Sequence, residues 1–246
     1  MKRTFKCTVI SDTHCAHRDI EPLKGGDFLF HAGDLSYFGQ PGEIEDFMDW
    51  FSQQPYRHKV FIAGNHDFGF EPIGEGRLCN EKGIFYFRGR ELKKGLEKYY
   101  RDMAYFRGIH YLNKEAIELD GVKIYGIPDQ PEFCGWAFNY YNNVVAEDIF
   151  SRIPEDTNVL LTHGPAFGIL DSPSVTSLIG GDDRLGCKIL LEHVQRVKPK
   201  FHLFGHIHES HGKKKVGDTT HINAAFCSIP YSIHNKPINF TLKLDK

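Results

Sequence analysis

The sequence predicts an α/β fold in which two β-sheets are flanked by helices, and three observations predict it. Short β-branched or apolar runs alternate with segments in which apolar residues recur every three or four positions. No repeat, low-complexity stretch or long Pro/Gly/Ser linker divides the chain, so 1–246 is expected to form one domain. Five of the runs stop at small clusters of Gly, Asp, Asn and His.

The elements follow in order. Thr4 to Ser11 (TFKCTVIS) alternates as a strand and stops at Asp12-Thr13-His14. Asp27 to Ala32 stops at Gly33-Asp34, and Lys59 to Ala63 stops at Gly64-Asn65-His66-Asp67. Between them Ile44, Phe47, Met48 and Phe51 mark a helix over Gly42 to Gln53. Arg88 to Arg107 predicts one amphipathic helix, with Leu92, Leu96, Tyr99, Met103 and Phe106 on its apolar face and Lys93, Lys94, Lys98 and Arg101 opposite. Asp120-Gly121 predicts a hairpin between Ala116–Asp120 and Val122–Ile127. Val144 to Ile153 and Leu185 to Val197 have helical spacing. Asn158 to Leu161 and Phe201 to Phe204 are strands that stop at His163-Gly164 and Gly205-His206, and Thr219–Ala225 and Ile238–Leu244 are strands again.

Bulk properties set limits. The chain has 246 residues, 41% hydrophobic and 25% charged, with a formal net charge of −2. That charge implies no polyanionic partner, so strong nucleic-acid binding is not expected. The 6 Cys form no C-x-x-C pair and read as reduced thiols. The first residues run directly into a strand without a signal-like apolar segment, and no apolar run reaches membrane-span length. A cytoplasmic protein without a membrane partner is the expectation.

In open α/β sheets, ligands bind beyond the carboxyl ends of the strands. The five polar clusters are therefore expected to meet at one sheet edge, where their glycines permit close approach. Asp12, His14, Asp34, Asn65, His163, His206 and His208 offer imidazoles, carboxylates and one amide oxygen, with no thiolate. This set suits Mn²⁺, Fe²⁺ or Zn²⁺. Seven donors exceed one tetrahedral shell and suit two divalent ions sharing a carboxylate. Such a pair would attract phosphate and acidify water.

In order and spacing, the clusters D-x-H, G-D, G-N-H-D, a lone H and G-H-x-H resemble the calcineurin-like metallophosphoesterase superfamily. The runs ISDTH, Gly135-Trp136-Ala137-Phe138-Asn139, Leu161 to Pro165 and Phe204 to Glu209 are similar to its metallophosphoesterase-domain-containing branch. The resemblance spans Asp12 to His208 and implies a four-layer α/β/β/α sandwich. It implies that Asp12, His14 and His208 hold one metal, Mn²⁺ being the first candidate, and Asn65, His163 and His206 the other, with Asp34 bridging. It implies catalysis by His66 at the leaving group, Asp67 orienting that imidazole, and attack on phosphorus by a metal-bound hydroxide.

The expected activity is hydrolysis of small phosphodiesters, cyclic nucleotides being one candidate. A phosphomonoesterase and a catalytically silent protein-binding scaffold stand as alternatives. Phosphoprotein phosphatases of the superfamily follow G-D with D-R-G, whereas here Leu35 to Gly39 follows. His17, Arg18, Cys15, His211 and the Gly135–Asn139 loop receive no role from sequence, nor does oligomeric state. His31 reads as a buried, hydrogen-bonded residue.

Overall fold

The computed structural model describes residues 3–75, 78–173, 184–228, 232–233 and 235–244. Two sheets carry the fold. In the first, Arg3–Ile10 pairs with Gly26–Ala32, which pairs with Tyr56–Ile62, which pairs with the short strand His110–Tyr111, all in parallel. Ile238–Leu244 closes its far edge, antiparallel to Arg3–Ile10. The second sheet has six strands. Val122–Ile127, Val159–Thr162, Phe201–Phe204 and Thr219–Asn223 run parallel in that order, and the antiparallel strands Glu115–Leu119 and Gly212–Val216 form its edges.

Period-2 alternation decides which side chains meet between the sheets. Phe5, Cys7, Val9, Phe28, Phe30, Val60 and Ile62 of the first sheet pack on Ile124, Val159, Leu161, Leu203 and Ile222 of the second. Helices α1 (Pro41–Ser52) and α2 (Glu97–Phe106) cover the outer face of the first sheet through Ile44, Phe47, Met48, Phe51, Tyr100 and Ala104. Helices α3 (Asn143–Ser151) and α4 (Lys188–Val197) cover the second through Ala146, Ile149, Phe150, Leu190 and Val194. The result is the expected order of helices, sheet, sheet, helices.

Helix starts follow local chemistry. Pro41 needs no N–H partner at the first position of α1, and the Glu43 carboxylate accepts from the N–H groups of Phe38 and Gln40. Asn142 caps α3 by accepting from Val145 N at 3.0 Å.

One element departs from expectation. The single helix over Arg88–Arg107 is instead a hairpin strand, Arg90–Lys93, followed by α2. Arg88 and Gly89 have φ of 48° and 76°, which turns the chain back onto Ile84–Phe87, and Gly95 at φ 79° blocks continuous helix. The buried face of α2 is accordingly Tyr100 and Ala104, while Tyr99 and Phe106 are exposed. Lys94 is not on a solvated face either. It is buried and donates to Glu71 Oε2 at 3.2 Å, and Glu71 Oε1 accepts from Phe138 N at 3.0 Å. A buried charge demands such partners. The edge strand Gly212–Val216 escaped the sequence reading because Lys213, Lys214 and Lys215 hide its pattern, as lysines on sheet edges do.

Candidate metal centre

The parallel strands of both sheets end at the same edge, and their last residues turn inward. The turns are strained. Asp12, His14, Asp34 and His206 have φ of 53°, 40°, 56° and 69°, all in the left-handed region that L-residues disfavour. Each costs about 1–3 kcal/mol and persists where surrounding structure overdetermines it. The neighbouring glycines make room. A Cβ on Gly33 would stand 2.6 Å from His163 Nδ1, one on Gly64 would strike Asp34 Oδ1, and one on Gly205 would strike Asp12 Oδ2.

The seven donors named from sequence meet there. His208 Nε2 lies 3.3 Å from Asp12 Oδ1 and 3.4 Å from His14 Nε2. His163 Nε2 lies 3.5 Å from Asp34 Oδ2 and 2.9 Å from Asn65 Oδ1. His14 Nε2 lies 3.8 Å from Asp34 Oδ2, and the His206 ring centroid is 5.0 Å from that of His163. Asp12, His14 and His208 form one compact triad, and Asp12, Asp34 and His163 another. His66 forms a third with His14 and Asp34, so its imidazole stands at the same floor.

Outer hydrogen bonds aim the rings. His14 Nδ1 donates to Ser36 O at 3.3 Å, His163 Nδ1 to Ala32 O at 2.9 Å, and His66 Nδ1 to Tyr37 O at 2.8 Å. A carbonyl can only accept, so each Nδ1 carries the proton and each Nε2 faces the centre. Both carboxylates are tied as well. Asp12 accepts from His206 N at 3.0 Å, and Asp34 Oδ1 accepts from His66 N at 2.8 Å.

The charges need one another. Burial opposes ionisation of Asp12, but His208 and then His163 outweigh it and hold its carboxyl far below the usual range. Burial likewise opposes Asp34, and His163 and His66 outweigh it. His163 is pushed up to about 9: burial disfavours its charge, yet Asp34 and Asp12 prevail. Burial pulls His14 and His206 down to about 3. Without a metal, a proton on His163 takes the position of a cation between carboxylate and imidazole. Carboxylates, an amide oxygen and Nε2 atoms converging at these distances fit divalent cations, which would displace that proton.

Asp67 departs from its expected part. Its oxygens accept from Gly64 N, Leu35 N, Ser36 N and Ser36 Oγ, whereas His66 Nδ1 is held by the Tyr37 carbonyl. Asp67 therefore laces the Gly33-Asp34 loop to the Gly64-Asn65 loop and does not itself orient the imidazole. Burial and the nearby Asp34 push its carboxyl up to about 7. The Gly135–Asn139 loop gains a place: Trp136 stacks on His66 with centroids 3.9 Å apart, and Ala137 N donates to Asn65 O at 3.0 Å. His17 and Arg18 bind Asp46 of α1 instead of facing the centre, and His211 Nε2 donates to the Lys236 carbonyl. Burial pushes the Cys15 thiol up to about 12, which suits packing rather than reactivity, and no cysteine is in a disulfide.

A pocket of about 480 Å³ opens over Asp34, Asn65, His66, His206 and His208. Phe133, Leu185, Arg184, Glu132 and Glu209 line the rest of it. Sequence reasoning missed these walls. Only Glu209, directly after Gly205-His206-Ile207-His208, carried a positional hint.

Comparison with known proteins accords with this geometry. Residues 5–210 match the family model described as calcineurin-like phosphoesterase. Metallophosphoesterase domain-containing protein 1 of Homo sapiens is 37% identical over 235 residues, 95% of this chain and 69% of that protein. A UPF0046 protein of Caenorhabditis elegans is 36% identical over 245 residues, 99% of this chain and 82% of that protein. Among solved structures, phosphopantetheinyl hydrolase of Mycobacterium tuberculosis shares the fold at a TM-score of 0.54 and 14% identity, over 89% of this chain and 88% of that one. TT1561 of Thermus thermophilus does so at 0.57 and 12%, over 91% and 90%. The chain belongs to the calcineurin-like phosphoesterase family, and membership supports a metal-dependent phosphoester hydrolase. Among the described residues no helix is long and apolar enough to cross a membrane.

Proposed function

From this membership we propose that the protein is a dinuclear-metal phosphodiesterase that hydrolyses small phosphodiesters. The observation that carries the reading is the clustering of Asp12, His14, Asp34, Asn65, His163, His206 and His208 at one sheet edge, with Asp34, Asn65, His206 and His208 lining a pocket there. Asp12, His14 and His208 would hold one divalent cation and Asn65, His163 and His206 the other, with Asp34 between them. Bound there, Mn²⁺ or a similar ion supplies Lewis acidity toward phosphoryl oxygens and acidifies water.

The chain's own groups do the rest. His66 presents Nε2 to the pocket while Tyr37 O retains its Nδ1–H, so the ring must first take up a second proton on Nε2, against the burial that lowers its pKa, and it is that proton which passes to a leaving oxygen. Trp136 fixes the ring plane. One feature favours a diester. Phe133 and Leu185 offer apolar surface to an organic substituent, which a diester carries on both sides of phosphorus.

The test is turnover of bis(4-nitrophenyl) phosphate and 4-nitrophenyl phosphate by chelator-stripped protein, with and without Mn²⁺, beside an Asn65→Ala control. Mn²⁺-restored hydrolysis of the diester at about tenfold or greater advantage in kcat/KM, absent from the control, is expected. Preference for the monoester would overturn the substrate class. Two bound ions with no turnover would favour the scaffold.

A further inference from the structure

Two buried histidines outside the donor set occupy matching places in the two sheets. His31 lies in the strand Gly26–Ala32, beside Thr13, and His202 in the strand Phe201–Phe204, beside Thr162. Each sits on the outer face of its sheet beneath a helix layer, and neither is exposed. Each threonine immediately precedes a donor histidine, His14 or His163. His31 Nε2 is 3.0 Å from Thr13 Oγ1, and His202 Nε2 is 2.8 Å from Thr162 Oγ1.

The proton positions follow from the partners. Gly33 N donates to His31 Nδ1 at 3.3 Å, so Nδ1 is the acceptor and Nε2–H must donate to Thr13. Thr162 Oγ1 donates to Gly164 O at 2.7 Å, so it must accept from His202 Nε2–H. His202 Nδ1 then accepts from His221 Nδ1, 3.1 Å away. Both ring nitrogens of His31 and of His202 are thereby paired. Burial keeps both rings neutral: it pulls His31 down to about 3 and His202 well below its ordinary range.

We propose that His31 and His202 are positioning residues, each an Nε2–H donor that clamps the threonine next to one metal ligand and so holds one ion site each. His31 serves the site of Asp12, His14 and His208, and His202 serves the site of Asn65, His163 and His206. The inference rests on the metal-site reading above. It predicts opposite tautomers: Nε2–H in His31 and His202, Nδ1–H in His14, where a backbone carbonyl takes the Nδ1 proton.

Two measurements test it on the full chain. The first is Mn²⁺ titration calorimetry of stripped protein, with melting curves, in the Asn65→Ala background, where the site of Asp12 and His14 remains. There His31→Leu and Thr13→Val should weaken the remaining Mn²⁺ site about tenfold, and His202→Leu and Thr162→Val should leave it unchanged. His31→Gln, whose amide N–H reaches Thr13, should restore binding. Equal weakening by both sets, or failure of the glutamine rescue, overturns the clamp. The second is imidazole ¹⁵N shifts in the unsubstituted protein, which need no variant to fold. Nδ1–H in either His31 or His202 also overturns it. An unsubstituted protein that binds no Mn²⁺ overturns the metal-site reading instead, and the ¹⁵N shifts still decide the clamp.

Discussion

The strand-end histidines and the histidines one row deeper in each sheet share a residue type and deep burial, yet their surroundings assign them opposite chemistry. His14 and His163 turn Nδ1 to a backbone carbonyl and Nε2 to carboxylates. His31 and His202 turn Nε2 to a threonine hydroxyl and, among the described residues, face no carboxylate at hydrogen-bond distance. A neutral hydroxyl partner completes an imidazole. A buried carboxylate leaves it to be completed by a proton or a metal. The partner, not the histidine, makes the site.

The comparison breaks most visibly at its carboxylate side. Asp34→Asn removes the charge both rings share and should lower Mn²⁺-dependent kcat by about 10³-fold or more, with the melting temperature of the stripped protein lowered because His163 loses the partner that holds it charged. Steady-state rates and circular dichroism melts on one preparation check both halves. Next in size is His66→Gln. Loss of proton delivery from Nε2 should cost about 10²-fold with an alkoxide leaving group and clearly less with 4-nitrophenolate. Equal losses on both substrates would mean that His66 only shapes the floor.

Gly205→Ala tests the geometry rather than the chemistry. The new Cβ strikes Asp12 Oδ2 and Ser11 Oγ, so stability should fall by about 1–3 kcal/mol and Mn²⁺ affinity with it, measured by urea unfolding and titration.

The smallest effect separates His163 from His31 by pH. His31 is held near 3 in the folded chain, against about 6.5 unfolded, so the unfolded chain binds more protons between those values. Its contribution is present above about 6.5 and is lost as pH falls, with a slope of at most about 1.4 kcal/mol per pH unit. His163 in stripped protein has the reverse sign. Its folded value near 9 adds stability that is full below about 6.5 and lost as pH rises through 9. Urea unfolding of stripped protein from pH 4 to 10 should show both arms. Saturating Mn²⁺ should abolish the alkaline one, because the metal replaces the proton.

Much of this was legible before any coordinate. The two sheets flanked by helices and the seven candidate donors follow from short strand-like runs that stop at Gly, Asp, Asn and His, and the four-layer order from the family resemblance. Glycines 33, 64 and 205 stand where only a missing Cβ permits the approach. The hairpin at Arg90–Lys93 was not legible, because its residues also satisfy helical spacing and only the turn at Arg88-Gly89 decides between them. Asp67 was misread because adjacency to His66 in sequence says nothing of where its oxygens point.

The sequence alone determined which residues could reach one edge, since chain direction in parallel strands puts every such terminus on the same side. Only the tertiary structure decided which ring nitrogen carries a proton, which backbone φ is strained, and that Phe133 and Arg184, 51 positions apart, line one pocket. Those facts depend on distances between atoms from segments remote in the chain. A carboxylate, a carbonyl or a hydroxyl at about 3 Å changes what an imidazole does, and no local pattern encodes which of the three will be there.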